Sequence, residues 1–184
     1  MATNRPASQT RDAIVSAFNR LVLSTRRARP PVGQLLREAG VARSTLYKHF
    51  DDRDSLLLEA MNGPLSIIAN ATMVNGGSDR LVALLDHFWE QRRSGADVLS
   101  GPFSARLMRA LADLVQQRAS DLDRNDAVRI AENQIALVRL WVSGETPATA
   151  SELAEKMIAS ARAQRTAFQL GAAASAPAPA SQKQ

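Results

Sequence analysis

The chain has 184 residues, 45% of them hydrophobic, and a net charge of +5, enough for one large helical domain or a small domain joined to a larger one. With no cysteine, disulfides, thiolate zinc sites and cysteine nucleophiles are excluded. No apolar run approaches the ~20 residues of a membrane span, and Met1 to Gln9 lacks the apolar stretch of a signal peptide; a cytoplasmic protein is expected.

Helical periodicity dominates the chain. Ala13, Ile14, Ala17, Phe18, Leu21 and Val22 recur at i, i+3, i+4 and i+7, marking one apolar face of a helix near 8–24. A polar loop with Arg26, Arg27 and Arg29 leads to Pro30-Pro31, and Pro31 suits the first turn of a second helix carrying Val32, Leu35, Leu36 and Ala39. Gly40 stands where a helix ends on a left-handed residue. A third helix is expected over 42–49, with Leu46 and Phe50 inward at i, i+4, and Asp51 or Asp52 caps a fourth. Gly63-Pro64 kinks or breaks that fourth helix. Further helices are expected near 65–74, 79–94, 103–121, 125–143 and 149–169, with breaks at Asn75-Gly76-Gly77 and over 95–102. No segment alternates with period two between turns, so the fold class is all-α. Residues 171–184, rich in Ala, Pro, Ser and Gln, are expected to be a disordered tail.

Two short helices joined by a tight glycine turn have the geometry of a helix-turn-helix, whose second helix enters the major groove. The outward positions of the third helix are Arg43, Ser44, Thr45, Tyr47 and Lys48, with His49 at its end. Arginine bonds a guanine edge bidentately and the threonine methyl meets a thymine methyl. Charge points the same way: residues 1–50 carry nine Arg and Lys against two acids, Asp12 and Glu38, while residues 51–184 carry 14 against 16. All the excess positive charge therefore lies in the first quarter of the chain, as expected where a polyanion docks.

The segment Ala39-Gly40-Val41, then Ser44-Thr45-Leu46-Tyr47-Lys48-His49-Phe50, then Arg53 and Leu56-Leu57, resembles the TetR family of repressors over roughly residues 10–60. The resemblance implies a DNA-binding domain over 8–53 and a helical ligand-binding and dimerisation domain over 54–170. It implies a homodimer on a palindromic duplex operator, with base or phosphate contacts from Arg43, Ser44, Thr45, Tyr47, Lys48 and His49. Arg53 stands where the family usually has a phosphate-contacting lysine. The chain departs from the family at Pro31-Val32, where a capping threonine is usual, at Gly33, where a base-contacting polar residue is frequent, and at Leu36, where a small residue is common. Gln34 and Arg37 are then the polar candidates left on the second helix.

The family resemblance also implies a small-molecule cavity in the C-terminal domain, and Met61, Leu85, Phe88, Trp89, Phe103, Leu107, Met108 and Leu111 are its candidate lining. The same stripes also describe a filled core. His87 is a candidate polar anchor; one histidine beside Glu90 is too little for a metal site. Two further stripes hold Ile130, Gln134, Leu137, Val138 and Trp141, and Met157, Ile158 and Ala161. Their mixture of small and large residues suits close helix packing, and in the family the last two helices pair across a two-fold axis. The same stripes serve equally for packing within one subunit. No nucleophile–base pair, phosphate loop or paired-carboxylate motif is present, so neither catalysis nor a cofactor is expected. Two functions compete: a regulator, most simply a repressor released by an inducer, and a ligand-binding protein of the same fold without operator binding.

Overall fold

The computed structural model describes residues 7–25, 27–72 and 78–175, and every regular element among them is a helix. The first three are α1 (Ala7–Thr25), α2 (Val32–Ala39) and α3 (Arg43–His49). α1 turns Ile14, Ala17 and Phe18 inward. Pro31 stands one place before α2 rather than in its first turn, and its φ of −57° and ψ of 135° make an extended entry. Its carbonyl accepts from the N–H of Gln34 and Leu35 at 3.0 and 3.2 Å. α2 ends on Gly40 in the left-handed region, φ +65° and ψ +35°. The N–H groups of Gly40 and Val41 reach back to the carbonyls of Arg37 and Leu36 at 3.3 and 3.1 Å. This paired closure is a Schellman turn, and it sets the direction in which α3 leaves. Leu46 and Phe50 then join Leu35 and Phe18 in one buried core.

α4 (Arg53–Ala60) and α5 (Asn62–Ala71) are separated by Met61 alone. Gly63-Pro64 thus marks a break one residue wide. Pro64 lies in the first turn of α5, where an N–H would have no partner within the helix.

The C-terminal half holds α6 (Ser78–Glu90), α7 (Arg92–Ser100), α8 (Ser104–Arg118), α9 (Arg124–Val142) and α10 (Ala150–Ser175). The stretch 95–102, expected as a connection, is largely helical, and the break falls earlier, at Gln91. A glycine inside a helix costs about 1 kcal/mol, which the burial of Val98 and Leu99 offsets. α10 continues to Ser175, past its expected end, through Ala172 to Ala174, where alanine is the strongest helix former. The remainder of the expected tail, 176–184, and the expected turn at 75–77 lie outside the described residues.

α9 packs between α8 and α10, α10 also meets α6, and α8 meets α5. The starts of α9 and α10 are capped by side chains. Asp123 accepts from the N–H of Asp126 at 2.8 Å ahead of α9. Ahead of α10, Thr149 and Glu152 form a reciprocal capping box, Thr149 N–H to Glu152 Oε2 at 2.7 Å and Glu152 N–H to Thr149 Oγ1 at 3.2 Å.

This packing relocates most of the residues expected at a dimer interface. Ile130, Gln134, Val138, Trp141, Met157 and Ala161 are buried inside the chain's own core. Gln134 donates to the Met157 carbonyl at 3.2 Å, and the Trp141 indole N–H donates to the Ala148 carbonyl at 2.8 Å. An apolar stripe states that a helix face is covered, and here the covering helices belong to the same chain. Of the eight, Leu137 and Ile158 stay half-buried.

Candidate nucleic-acid interface and an adjoining cavity

α3 is seven residues long and owes its place to its buried side. Leu46 and Phe50 are 3% exposed each, and the remaining side chains follow from the 3.6-residue period. Arg43, Ser44, Tyr47 and Lys48 are exposed, whereas Thr45 and His49 are half-buried. Tyr47, one of the most exposed large side chains, keeps 45% of its surface in solvent. Neither Arg43 nor Lys48 has an acidic partner among the described residues. Two cations without an acidic partner among the described residues and two exposed hydroxyls, from Ser44 and Tyr47, therefore sit along one helix. Gln34 and Arg37 of α2 are exposed as well.

The far end of α3 is held by a residue the periodicity did not single out. Arg11 of α1 donates to the His49 carbonyl at 2.9 Å and pairs with Glu59 of α4 at 3.1 Å. Its guanidinium also lies over the Phe50 ring, 4.5 Å from the centroid. One arginine thus joins α1, the end of α3 and α4, satisfying an orphan carbonyl where a cation also suits the helix dipole. No sequence signal marks it, since its partners lie 38 and 48 residues away.

Arg53, expected at a phosphate, is exposed but engaged. Its Nη2 donates to the carbonyls of Arg29 and Pro30 at 3.0 and 3.1 Å. Arg29 in turn pairs with Asp54 at 2.9 Å and lies over the Phe103 ring, 5.5 Å from the centroid. The loop before α2 is thereby fastened to α4 and to the turn before α8. A guanidinium has five N–H donors, so Arg53 retains donors for an external anion.

The expected pocket residues separate into two groups. Leu85, Phe103, Leu107 and Leu111 are 0–2% exposed and packed in the core. Trp89 faces outward and packs on Trp141 at a ring-centroid distance of 4.8 Å, while Met108 is half-buried against the core. Met61 and Phe88 do border a cavity of about 340 Å³, but it lies elsewhere, between α1 and the C-terminal helices. Helical stripes cannot separate lining from filling, because both are apolar with the same period.

The sequence profile of the bacterial regulatory proteins of the tetR family matches residues 31–60, from the start of α2 to the end of α4. No curated protein matches the chain. A solved structure of a TetR family transcriptional regulator from Vibrio parahaemolyticus is similar at 22% identity, covering 83% of this chain and 96% of that one with a TM-score of 0.34. That likeness is too distant to inform the cavity or the C-terminal packing. Among the described residues no helix is long and apolar enough to cross a membrane. The segment from Pro31 to Ala60, which holds the helix-turn-helix of α2 and α3, is similar to the bacterial regulatory proteins of the tetR family.

Proposed function

We propose that this chain is a sequence-specific transcription regulator, acting in the cytoplasm as a repressor that a small molecule releases from DNA. Residues 8–53 form its DNA-binding domain and residues 54–170 its ligand-binding and dimerisation domain. The observation that carries the reading is the free face of α3. Arg43, Tyr47 and Lys48 are exposed on a helix that lies within the segment matching the profile of the tetR-family regulatory proteins.

Arg43 and Thr45 read base edges, and Lys48, His49 and Arg53 approach phosphates; Ser44 and Tyr47 contribute hydroxyl donors. Two copies are needed to read a palindrome, with half-sites spaced by roughly one helical turn, ~34 Å. The half-buried Leu137 and Ile158 support a face on α9 and α10 for that pairing.

Selection of duplexes from random sequence, followed by gel-shift titration at several salt concentrations, tests the reading. Arg43→Ala is expected to cost about 1–3 kcal/mol at a matched site and relax one base position per half-site. Lys48→Ala is expected to weaken all sequences alike and flatten the salt dependence, because fewer counterions are released. Unchanged binding after replacing Arg43, Tyr47 and Lys48 together by Ala overturns the assignment of α3. Failure to select any duplex favours a ligand-binding protein without an operator.

A further inference from the structure

α3 is roughly 10 Å long and rests on few fixed points. Within it Leu46 alone is buried, and Phe50 is buried just past its end. The Gly40 turn sets its start. Apolar contact is non-directional, so Leu46 and Phe50 hold the helix down without fixing the tilt of its far end. Arg11 supplies a directional contact there. Its Nη1 donates to the His49 carbonyl at 2.9 Å and its Nη2 to Glu59 Oε2 at 3.1 Å. A guanidinium is a planar fork, so two acceptors and the Phe50 ring together fix where it lies. α1, which carries Arg11, packs on α2 and α4. The end of α3 is thereby referenced to the neighbouring helices and not only to its own short length. The Arg11 side chain is 40% exposed, so a direct phosphate contact is the competing role.

We propose that Arg11 is a positioning residue that determines sequence specificity: by holding the His49 carbonyl it sets the tilt at which Arg43 and Thr45 meet base edges. The role deepens the DNA-binding reading above and rests on it. Base readout and phosphate attraction differ in their tolerance. A bidentate bond to a base edge needs its donor held to within about 0.5 Å. Attraction to the phosphates acts over a Debye length of ~10 Å and accepts many placements. A small tilt of α3 therefore costs specific binding and leaves general attraction intact. Glu59 acts one step further away, through Arg11: it occupies one edge of the guanidinium and aims the other at His49.

Gel-shift titration of the full-length protein with a selected duplex and a scrambled duplex of equal length tests the role, with circular dichroism confirming the fold of each variant. Arg11→Ala should weaken the selected duplex at least about fivefold, the lower bound for one lost base contact. It should weaken the scrambled duplex less than about twofold and leave the salt slope unchanged. Arg11→Lys keeps the charge without the fork and should lose selectivity too. Glu59→Leu should lower selectivity in the wild type and add nothing in Arg11→Ala. Glu59→Gln, which keeps an oxygen for Nη2, should restore most of what Glu59→Leu loses. These further variants decide the matter if Arg11→Ala does not fold. Hydrogen exchange supplies a measure free of DNA. The Phe50 N–H donates to the Leu46 carbonyl at 3.0 Å, and Arg11→Ala should speed its exchange at least about threefold. An unchanged ratio of selected to scrambled affinity in the folded Arg11 variants overturns the proposal. So does equal weakening of both duplexes with a salt slope flatter by about 0.9, the mark of a direct phosphate contact. Unchanged exchange at Phe50 overturns the hold on α3. Failure to select any duplex sinks the DNA-binding reading and the specificity role with it, while exchange at Phe50 still decides whether Arg11 holds the helix.

Discussion

Arg106 Nη1 on α8 lies 3.2 Å from Oδ2 of Asp52, the N-cap of α4. Asp52 accepts from both the N–H and the hydroxyl of Ser55, and Arg106 Nη2 reaches that hydroxyl at 3.4 Å. The cap of α4, the helix that follows the helix-turn-helix, is thus grasped by the C-terminal half, 54 residues further along the chain. Removing the cap with Asp52→Ala is expected to cost about 1 kcal/mol. Arg106→Ala should cost less than about 1 kcal/mol, as half-exposed ion pairs do. Urea unfolding of both single variants and the double variant measures each contribution and their coupling.

The same carboxylate sets a pH dependence. Hydrogen bonds from the Ser55 side chain and backbone, and then the Arg106 guanidinium, hold Asp52 below the usual aspartate range. A lowered folded value means the folded state favours the ionised form. Its stabilisation is fully present above the unfolded value of roughly 3.9 and is lost as pH falls through the folded value. Urea midpoints followed from pH 6 to pH 2 should therefore fall less steeply in Asp52→Asn than in the wild type. Parallel curves would show that the cap carries no linkage.

Gly40→Ala isolates the turn. Its φ of +65° penalises any side chain, yet an added Cβ there would meet nothing within 4 Å. The expected cost is about 1–2 kcal/mol of backbone strain, without steric disruption. Thermal unfolding should register that loss, and DNA titration should show weaker binding if the turn sets the angle of α3. A fall several-fold larger in stability would mean that packing, not backbone conformation, decides this position.

Leu111→Ala separates core from cavity. Leu111 is fully buried, so truncation should cost about 2–5 kcal/mol. Urea unfolding measures that loss, and a cost below about 1 kcal/mol would mean that Leu111 borders empty space rather than filling the core.

Sedimentation addresses the pairing of subunits. A dimer is expected at tens of micromolar for the natural sequence, and Leu137→Arg with Ile158→Arg should yield a folded monomer. These two are chosen because they are half-buried rather than fully enclosed, so a cation can reach solvent without unfolding the chain. A folded wild-type monomer at that concentration sinks the two-fold model.

The helices and the exposed face of α3 were legible in the sequence because both rest on local physics. The 3.6-residue stripe at Ile14, Ala17 and Phe18 requires only that one face be apolar. Gly40 follows from the cost of a left-handed residue, and the outward set Arg43, Ser44, Tyr47 and Lys48 follows once Leu46 and Phe50 point inward. Tertiary structure alone decided what covers each stripe. Ile130, Val138 and Trp141 look identical in sequence whether they meet α10 of the same chain or a second subunit, and Leu107 and Phe88 look identical whether they fill a core or border a void. It also decided the long-range cations. Arg11 on His49 and Glu59, Arg53 on the loop carbonyls, and Arg106 on Asp52 join residues 23 to 54 positions apart. Such pairings arise from three-dimensional proximity, which periodicity along the chain does not encode.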